Sequence, residues 1–515
     1  MRPAVSGAQT VASMLSHWST VTPEAPFLVF DDEDVLTLTY RDGWELAARG
    51  SAVLASLGVG HGDRFAVVLG NCVEFFACWF GAARLGAVMV PVNPNSTADE
   101  LTYFFEHASC RAVICSSRQQ DAVRAAWPAE PALIVLCGKD FNDRSSAPPP
   151  APDVTVSPLD PLAVLYTSGT TSRPKGVLVT HANYLAAGHT IAGQLRIRPD
   201  DRWLIVLPMF HANAQYYCVM SALVTGASVA VAARFSASHW IQQARRCHAT
   251  LASLFAAPAR MILAQPESAT DRDNALRVTI FGQNLTPDQL RRFEDRFGCP
   301  LLQLYGMTET IAPPLMNPLY GPRDNMTVGL PTESGRVRIV DDPLDRTAGD
   351  LAPGQTGELL IGGEPGITLM AGYLDDPDTT AAAYVDGWLR TGDVVTRRHD
   401  EFIAFHDRAK DMIKRSGENV AAAEVERVVN EHPAVFESAV IGVPDPVRDE
   451  AIKAVVVRTE NGSGLTESAL ITFCADRLAR GKVPDHVEFT ENLPRTSVGK
   501  IRKNLLRQPI SKEED

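Results

Sequence analysis

Leu162-Ala-Val-Leu-Tyr166 runs directly into Thr167-Ser-Gly-Thr-Thr-Ser-Arg-Pro-Lys-Gly176. The first stretch is a continuous apolar run of strand length, and the second packs hydroxyls, two glycines and a lysine into one loop. Glycine lets backbone approach an anion closely, hydroxyls and backbone N–H groups donate to its oxygens, and an ammonium neutralises its charge. The stretch therefore reads as a phosphate-binding loop at the end of a buried strand. It is not a Walker loop, because Pro174 rather than glycine precedes Lys175.

Working outward, the same strand pattern recurs on both sides of the loop. Arg64 to Leu69, Gly86 to Val92 and Arg111 to Cys115 are apolar strand candidates, with a helical pattern from Glu74 to Leu85 between the first two. Leu204 to Leu207, Ser228 to Ala232 and Arg277 to Phe281 form a second such series. Strands alternating with helices imply βαβ units and largely parallel sheets. Ala147-Pro-Pro-Pro-Ala-Pro152 is expected to be an extended surface loop, since each proline fixes φ. From Gly335 to Phe405 short strands such as Gly357 to Gly362 alternate with Gly, Pro and Asp turns, which suggests a small all-β unit. The last hundred or so residues return to mixed patterns: helical over Glu424 to Asn430 and Leu465 to Arg480, strand over Ser438 to Gly442 and Ile452 to Val457.

The chain has 515 residues, long enough for about three to four domain-sized units. Its formal charge of −13 argues against a nucleic-acid partner, which would require clustered Lys and Arg. No run approaches the roughly 18 apolar residues of a membrane span, and Met1-Arg-Pro-Ala-Val-Ser-Gly7 has no apolar h-region, so a cytoplasmic protein is expected. The nine cysteines show no CxxC spacing and are expected to be free core thiols.

Four further stretches, in order along the chain, resemble those of one family. With the loop at 167–176 they identify the chain as similar to the adenylate-forming superfamily of acyl-CoA synthetases, luciferases and peptide-synthetase adenylation domains. They are Leu304-Tyr-Gly-Met-Thr-Glu-Thr310, Gly387-Trp-Leu-Arg-Thr-Gly-Asp393, Asp407-Arg-Ala-Lys-Asp-Met-Ile-Lys414 and Leu493-Pro-Arg-Thr-Ser-Val-Gly-Lys-Ile501. Ser172 stands where the family usually has glycine, and Ser-Arg-Pro-Lys is closest in style to the carnitine/crotonobetaine-CoA ligase branch.

The resemblance implies roles, residue by residue. Thr167, Ser168, Gly169, Thr170, Thr171 and Lys175 would cradle the phosphates of ATP, with Gly282 and Gln283 also at the nucleotide. Tyr305 would flank the adenine, Thr308 would contact the α-phosphate, and Glu309 would help hold Mg²⁺, a hard cation that suits a carboxylate. Asp393 would accept from both ribose hydroxyls, Arg408 would reach the ribose from the other side, and Lys410 would be the hinge. Lys500 would bridge the attacking carboxylate and the α-phosphate. Gly417, in Arg415-Ser-Gly-Glu-Asn-Val420, would leave room for the thiol arm of coenzyme A, although Ser416 replaces a usual glycine. His211 would gate the acid site, beside small residues at Ala212, Ala256, Ala257, Gly282 and Gly306. No acidic residue of the kind that fixes an amino-acid ammonium is found there, which points to an apolar carboxylic acid with room for bulk.

The expected fold is α/β: a large N-terminal domain (1–407) of two doubly wound α/β subdomains plus a small β-barrel, then a mobile α/β C-terminal domain (408–515). The expected activity is ATP-dependent formation of an acyl-AMP, followed by transfer to coenzyme A. Transfer to a carrier protein or partner enzyme stays open, as does a nucleotide-binding relative without catalysis.

Overall fold

The computed structural model describes residues 9–32, 35–127, 134–146, 155–167, 173–345, 349–408, 411–415, 418–445, 449–495 and 501–507. Among these residues the chain is organised by four β-sheets. The first has seven strands in the order Gly372–Tyr373, Lys175–Thr180, Pro161–Thr167, Val88–Pro91, Arg64–Val68, Ala112–Cys115 and Ile134–Leu136. The last five of these run parallel, and Val88–Pro91 and Ala112–Cys115 are buried at every position. Burial on both faces is why these segments read as continuous apolar runs and not as alternating ones.

The second sheet has nine strands. Its parallel centre is Leu301–Tyr305, Val278–Gly282, Leu251–Phe255, Arg202–Ile205, Ser228–Ala232 and Pro26–Asp31. Three of these strands end, at their carboxyl edge, on Tyr305, Gly282 and Phe255. In open α/β sheets that edge is where ligands bind.

The helices Tyr40–Ser56 and Val73–Leu85 cross at backbone contact. A Cβ on Gly50 would lie 1.8 Å from the carbonyl oxygen of Ala77, and one on Gly81 would lie 2.6 Å from the carbonyl carbon of Gly50. That crossing presses Phe76, Trp79 and Phe80 into a continuous core, which extends into both large sheets and the third.

The region expected to form a small β-barrel is a five-stranded antiparallel sheet. Its long strand Trp388–Arg397 pairs with Thr356–Gly362, Tyr384–Val385 and Ile403–Arg408. One short helix, Pro377–Ala382, interrupts the region, its end capped where Asp376 Oδ1 accepts from Thr379 N at 2.9 Å.

The fourth sheet contains Ile413–Arg415, Glu418–Val420, Val435–Asp445, Asp449–Arg458 and His486–Thr490. It packs with Ala422–Asn430 and Glu467–Ala475 around a separate core. The helix expected over Leu465 to Arg480 stops at Ala475. Leu470 and Cys474 fill its buried stripe, and Ala479 then turns to extended backbone ahead of Gly481 and Pro484, both poor helix formers.

All nine cysteines are unpaired and none is exposed, as expected of core thiols. No described helix is long and apolar enough to cross a membrane. The proline stretch 147–152 lies outside the described residues.

Candidate active site

Thr167 and Lys175 are register partners at the open end of an antiparallel strand pair, and Thr167 Oγ1 donates to the Lys175 carbonyl at 3.5 Å. The loop between them carries Ser168, Gly169, Thr170 and Thr171, which lie outside the described residues. Lys175 Nζ stands 4.9 Å from the centroid of the Tyr373 ring. Tyr373 is held there because its short strand adds to the same sheet, opposite Val177. Its hydroxyl donates to Glu309 Oε1 at 3.1 Å, and burial, followed by the Glu309 charge, pushes the phenol pKa up. Tyr373 thus joins Lys175 to the Glu309 carboxylate, a link the sequence motifs do not reveal. The only signal was its place at the end of the apolar run Leu369-Met-Ala-Gly-Tyr-Leu374, just before the polar turn at Asp375-Asp376.

The turn after Tyr305 is locked by a side-chain hydroxyl within it and by a backbone N–H from a distant segment. Met307 N donates to Thr310 Oγ1 at 2.9 Å, and Met370 N donates to the Glu309 carbonyl at 3.0 Å. This leaves Thr308 half-buried and the Glu309 side chain in a pocket where the residue is 7% exposed. Ile311, fully buried just beyond, has φ of +60°, a conformation unfavourable for a β-branched side chain and tolerated where surrounding packing enforces it. Gln283, half-buried at the end of Val278–Gly282, also has positive φ, at +74°.

Asp393 is 1% exposed. Tyr305 Oη donates to its Oδ2 at 2.5 Å, and Arg408 Nε stands 3.0 Å from its Oδ1. Burial, then the Asp393 charge, drives the Tyr305 phenol well above its ordinary pKa, so it stays a donor. Burial of Arg408 disfavours its charge, but Asp393, Tyr305 and Glu309 outweigh that and hold the guanidinium protonated. A carboxylate has about four acceptor positions, so Asp393 keeps capacity for a diol.

The acid-site candidates gather at the carboxyl edge of the second sheet. Gly282 and Phe255 are register partners, and a Cβ on Gly282 would meet the Phe255 ring at 3.5 Å. A Cβ on Gly306 would lie 2.5 Å from the Tyr217 hydroxyl. Tyr217, another residue the motifs do not reveal, is placed there by a π-helical turn, Asn213–Val219, a geometry often found at functional sites. Ala256 and Ala257 are buried, and His211 is half-buried with its ring 4.4 Å from that of Phe210. Ser253 Oγ donates to Asn213 Oδ1 at 2.8 Å, a buried neutral pair. None of these residues is a carboxylate.

The structure therefore brings Thr167, Lys175, Tyr305, Glu309, Asp393 and Arg408 into one connected set. Lys410, Gly417 and Lys500 lie outside the described residues. Among the described residues no three His, Cys, Asp or Glu side chains cluster as a ready metal cage. Glu309 alone fits the way Mg²⁺ is usually held, by one or two carboxylates with phosphates and water.

Residues 15–374 match the model of the AMP-binding enzyme family, and 424–500 match that of the AMP-binding enzyme C-terminal domain. The chain belongs to the AMP-binding enzyme family. It is 34% identical to a crotonobetaine/carnitine–CoA ligase of Salmonella arizonae, over 97% of this chain and 99% of that one. It is similar in structure to a benzoate CoA ligase from Burkholderia xenovorans, with TM-score 0.87, 26% identity, and coverage of 97% of this chain and 100% of that one. It is also similar to MatB from Rhodopseudomonas palustris, at 27% identity over 97% of this chain and 98% of that one. The TM-score is 0.87 against ATP-bound MatB and 0.77 against the apo form.

Together with its CoA-ligase relatives and structural neighbours, this family membership makes it an AMP-forming acid–thiol ligase, an acyl-CoA synthetase, which uses ATP, a carboxylic acid and coenzyme A. The expected α/β architecture, with a large N-terminal part and a C-terminal domain, is that of these structural neighbours.

Proposed function

We propose that this acyl-CoA synthetase activates an apolar carboxylic acid, with its nucleotide held along the line Lys175–Tyr373–Glu309 and Tyr305–Asp393–Arg408. The observation that carries this reading is the connectedness of that line: each step is a hydrogen bond, an ion pair, a cation–ring contact or a short turn of chain. In the first step an oxygen of R–COO⁻ attacks the α-phosphorus of ATP, the bond to the β-phosphate breaks, and pyrophosphate leaves. Lys175 and the loop from Thr167 to Thr171 neutralise the departing phosphates, Thr308 donates to the α-phosphate, and Lys500 offsets charge between the reacting groups. Mg²⁺ held at Glu309 would supply further charge neutralisation on the phosphates. Asp393 accepts from the ribose diol beside Arg408, and Gly282, Gln283 and Tyr305 flank the base. In the second step the coenzyme A sulfur attacks the acyl carbon, the thiol proton is lost, and AMP leaves.

The division into a body of residues 1–407 and a lid of 408–515 is part of the same proposal. The separate core under the fourth sheet supports it. Lys410 would be the pivot that exchanges the face bearing Lys500 for the one bearing Gly417.

The uncharged neighbourhood of His211, Tyr217, Phe255, Ala256, Ala257, Gly282 and Gly306 supports an apolar acid. A second reading follows from the crotonobetaine/carnitine–CoA ligase relative, whose named acids carry a quaternary ammonium. The faces of Tyr217 and Phe255 offer cation–π attraction without a carboxylate. A panel of aliphatic, aromatic and betaine-type acids, assayed with ATP and coenzyme A for pyrophosphate, AMP and acyl-CoA, separates these readings. Turnover of betaines alone overturns the apolar assignment. Pyrophosphate without acyl-CoA would mean a carrier protein or partner enzyme is the acceptor. No turnover with any acid would mean a non-catalytic relative.

A further inference from the structure

We propose that Arg260 and Glu437 form a latch between body and lid that favours the arrangement in which adenylation occurs. Arg260 lies on the helix Ala256–Leu263, whose first turn supplies Ala256 and Ala257 to the acid site. Its side chain is only 14% exposed; Nη1 donates to the Asn284 carbonyl at 3.3 Å, and Nη2 stands 3.7 Å from Glu437 Oε2. Glu437 belongs to the strand Val435–Asp445 of the fourth sheet, and its side chain is 7% exposed. Glu437 Oε2 also receives a hydrogen bond from Arg495.

Arg495 matters because of where it stands. It forms an antiparallel bridge with Ile501, and Arg502 N donates to the Pro494 carbonyl at 2.7 Å. These contacts close the base of the segment that carries Lys500 in the sequence. A second anchor lies beyond it: Lys503 Nζ is 2.9 Å from Glu426 Oε1, which also accepts from Val440 N at 2.8 Å, on the same strand as Glu437. The base of the lysine-bearing segment is thus fastened to Val435–Asp445 at two points, and that strand is fastened to the body by Arg260.

The electrostatics suit a contact that opens once per turnover. Glu437 sits between two guanidinium groups that repel each other, so its carboxylate is what allows Arg260 and Arg495 to approach. The Arg260 pair is long, and burial works against the Arg260 charge while Glu437 sustains it. For a buried ion pair the desolvation cost offsets most of the Coulombic gain. Turning the lid away returns Arg260 to water and leaves Glu437 paired with Arg495, so opening needs no unpaired buried charge. Taken over the whole chain, the structure is more similar to ATP-bound MatB than to its apo form, with TM-scores of 0.87 and 0.77.

This inference rests on the two-arrangement reading, so both are tested in the same assays with the full chain. The half-reactions are acid-dependent ATP–pyrophosphate exchange and coenzyme A thiolysis of the synthetic acyl-AMP, each using the best acid of the panel. Arg260→Gln is expected to slow exchange about tenfold, within the usual range of coupling between sites, with thiolysis unchanged or faster. Arg260→Lys is expected to restore most of the exchange rate. Glu437→Gln, which leaves two arginines facing each other, is expected to lose more than Arg260→Gln. Retained thiolysis shows that each variant is folded. Wild-type exchange in Arg260→Gln, an equal loss of both half-reactions, or a loss confined to KM for the acid overturns the latch. Lys500→Ala measured alongside separates the failures: if it slows both steps equally, the two-arrangement reading is what fails.

Discussion

Asp393 and Arg408 are direct register partners on the adjacent antiparallel strands Trp388–Arg397 and Ile403–Arg408, with Arg408 Nε 3.0 Å from Asp393 Oδ1. Sheet pairing, not side-chain search, therefore sets the position of this ion pair, and the pair fixes the orientation of the carboxylate. The same carboxylate takes the Tyr305 hydroxyl on its other oxygen. A carboxylate arranged in this way would lose little freedom on accepting the proposed ribose diol, which is the general advantage of preorganisation.

Asp393→Ala is expected to lower kcat/KM for ATP in the exchange reaction about 100-fold, since hydrogen bonds to charged groups are typically worth about 1.5–3 kcal/mol each. Arg408 would also lose its buried counter-charge. A change of less than about threefold in steady-state kinetics would remove Asp393 from the nucleotide site.

Tyr373→Phe deletes the hydroxyl that donates to Glu309 and keeps the ring beneath Lys175. The expected result is an approximately tenfold higher Mg²⁺ concentration for half-maximal exchange, with KM for the acid unchanged, because one charge-assisted bond that orients Glu309 is lost. Titrating Mg²⁺ at fixed ATP reads this directly, and an unshifted curve would separate Tyr373 from the metal.

Lys500→Ala is expected to reduce pyrophosphate exchange about 100- to 1,000-fold, the usual effect of removing one transition-state electrostatic contact. Thiolysis of supplied acyl-AMP should stay within a few-fold of wild type.

Gly282→Leu places a branched chain against the Phe255 ring, where even a Cβ already makes contact at 3.5 Å. Overfilling a site penalises large ligands first, so bulky acids should lose turnover while short ones are spared. A uniform loss across the acid panel would show that the substitution had instead disturbed Gln283 and the nucleotide.

His181 is fully buried, and its Nδ1 accepts from Val11 N at 3.2 Å, tying the first helix to the body. Burial pushes its pKa down to about 4 from the ordinary 6.5. Between those values the unfolded chain binds a proton that the folded chain refuses. The stability supplied by the neutral imidazole is complete above pH 6.5 and is lost as pH falls to 4, about 3 kcal/mol in all. His181→Asn should flatten the decline of Tm between pH 6.5 and 4, and an unaltered slope would assign it to other groups.

Some of this was legible in the residues themselves. The apolar runs at Arg64 to Leu69 and Ser228 to Ala232 became buried parallel strands because burial on both faces leaves no polar alternation to confuse the pattern. Helix limits were read less well, as at Ala475, where the buried stripe ended before the apolar-looking sequence did. Tyr373 and Tyr217 were passed over because a tyrosine carries no local spacing signal. Each acquires a role only from what stands opposite it.

The sequence by itself determined the chemistry available, since hydroxyls, glycines and a lysine at 167–176, Glu309, Asp393 and Lys500 are local patterns whose residue types dictate what they can bind. Only the tertiary structure decided which of these groups meet. Strand register set Asp393 against Arg408, a β-strand addition brought Tyr373 between Lys175 and Glu309, and sheet packing set Arg260 against Glu437. The physical reason is that Asp393 and Arg408, on consecutive strands, face each other only in one pairing register, whereas Tyr373 and Glu309, and Arg260 and Glu437, are separated by long stretches of chain. Their proximity comes from burying large apolar surfaces elsewhere, and no local rule of the sequence encodes it.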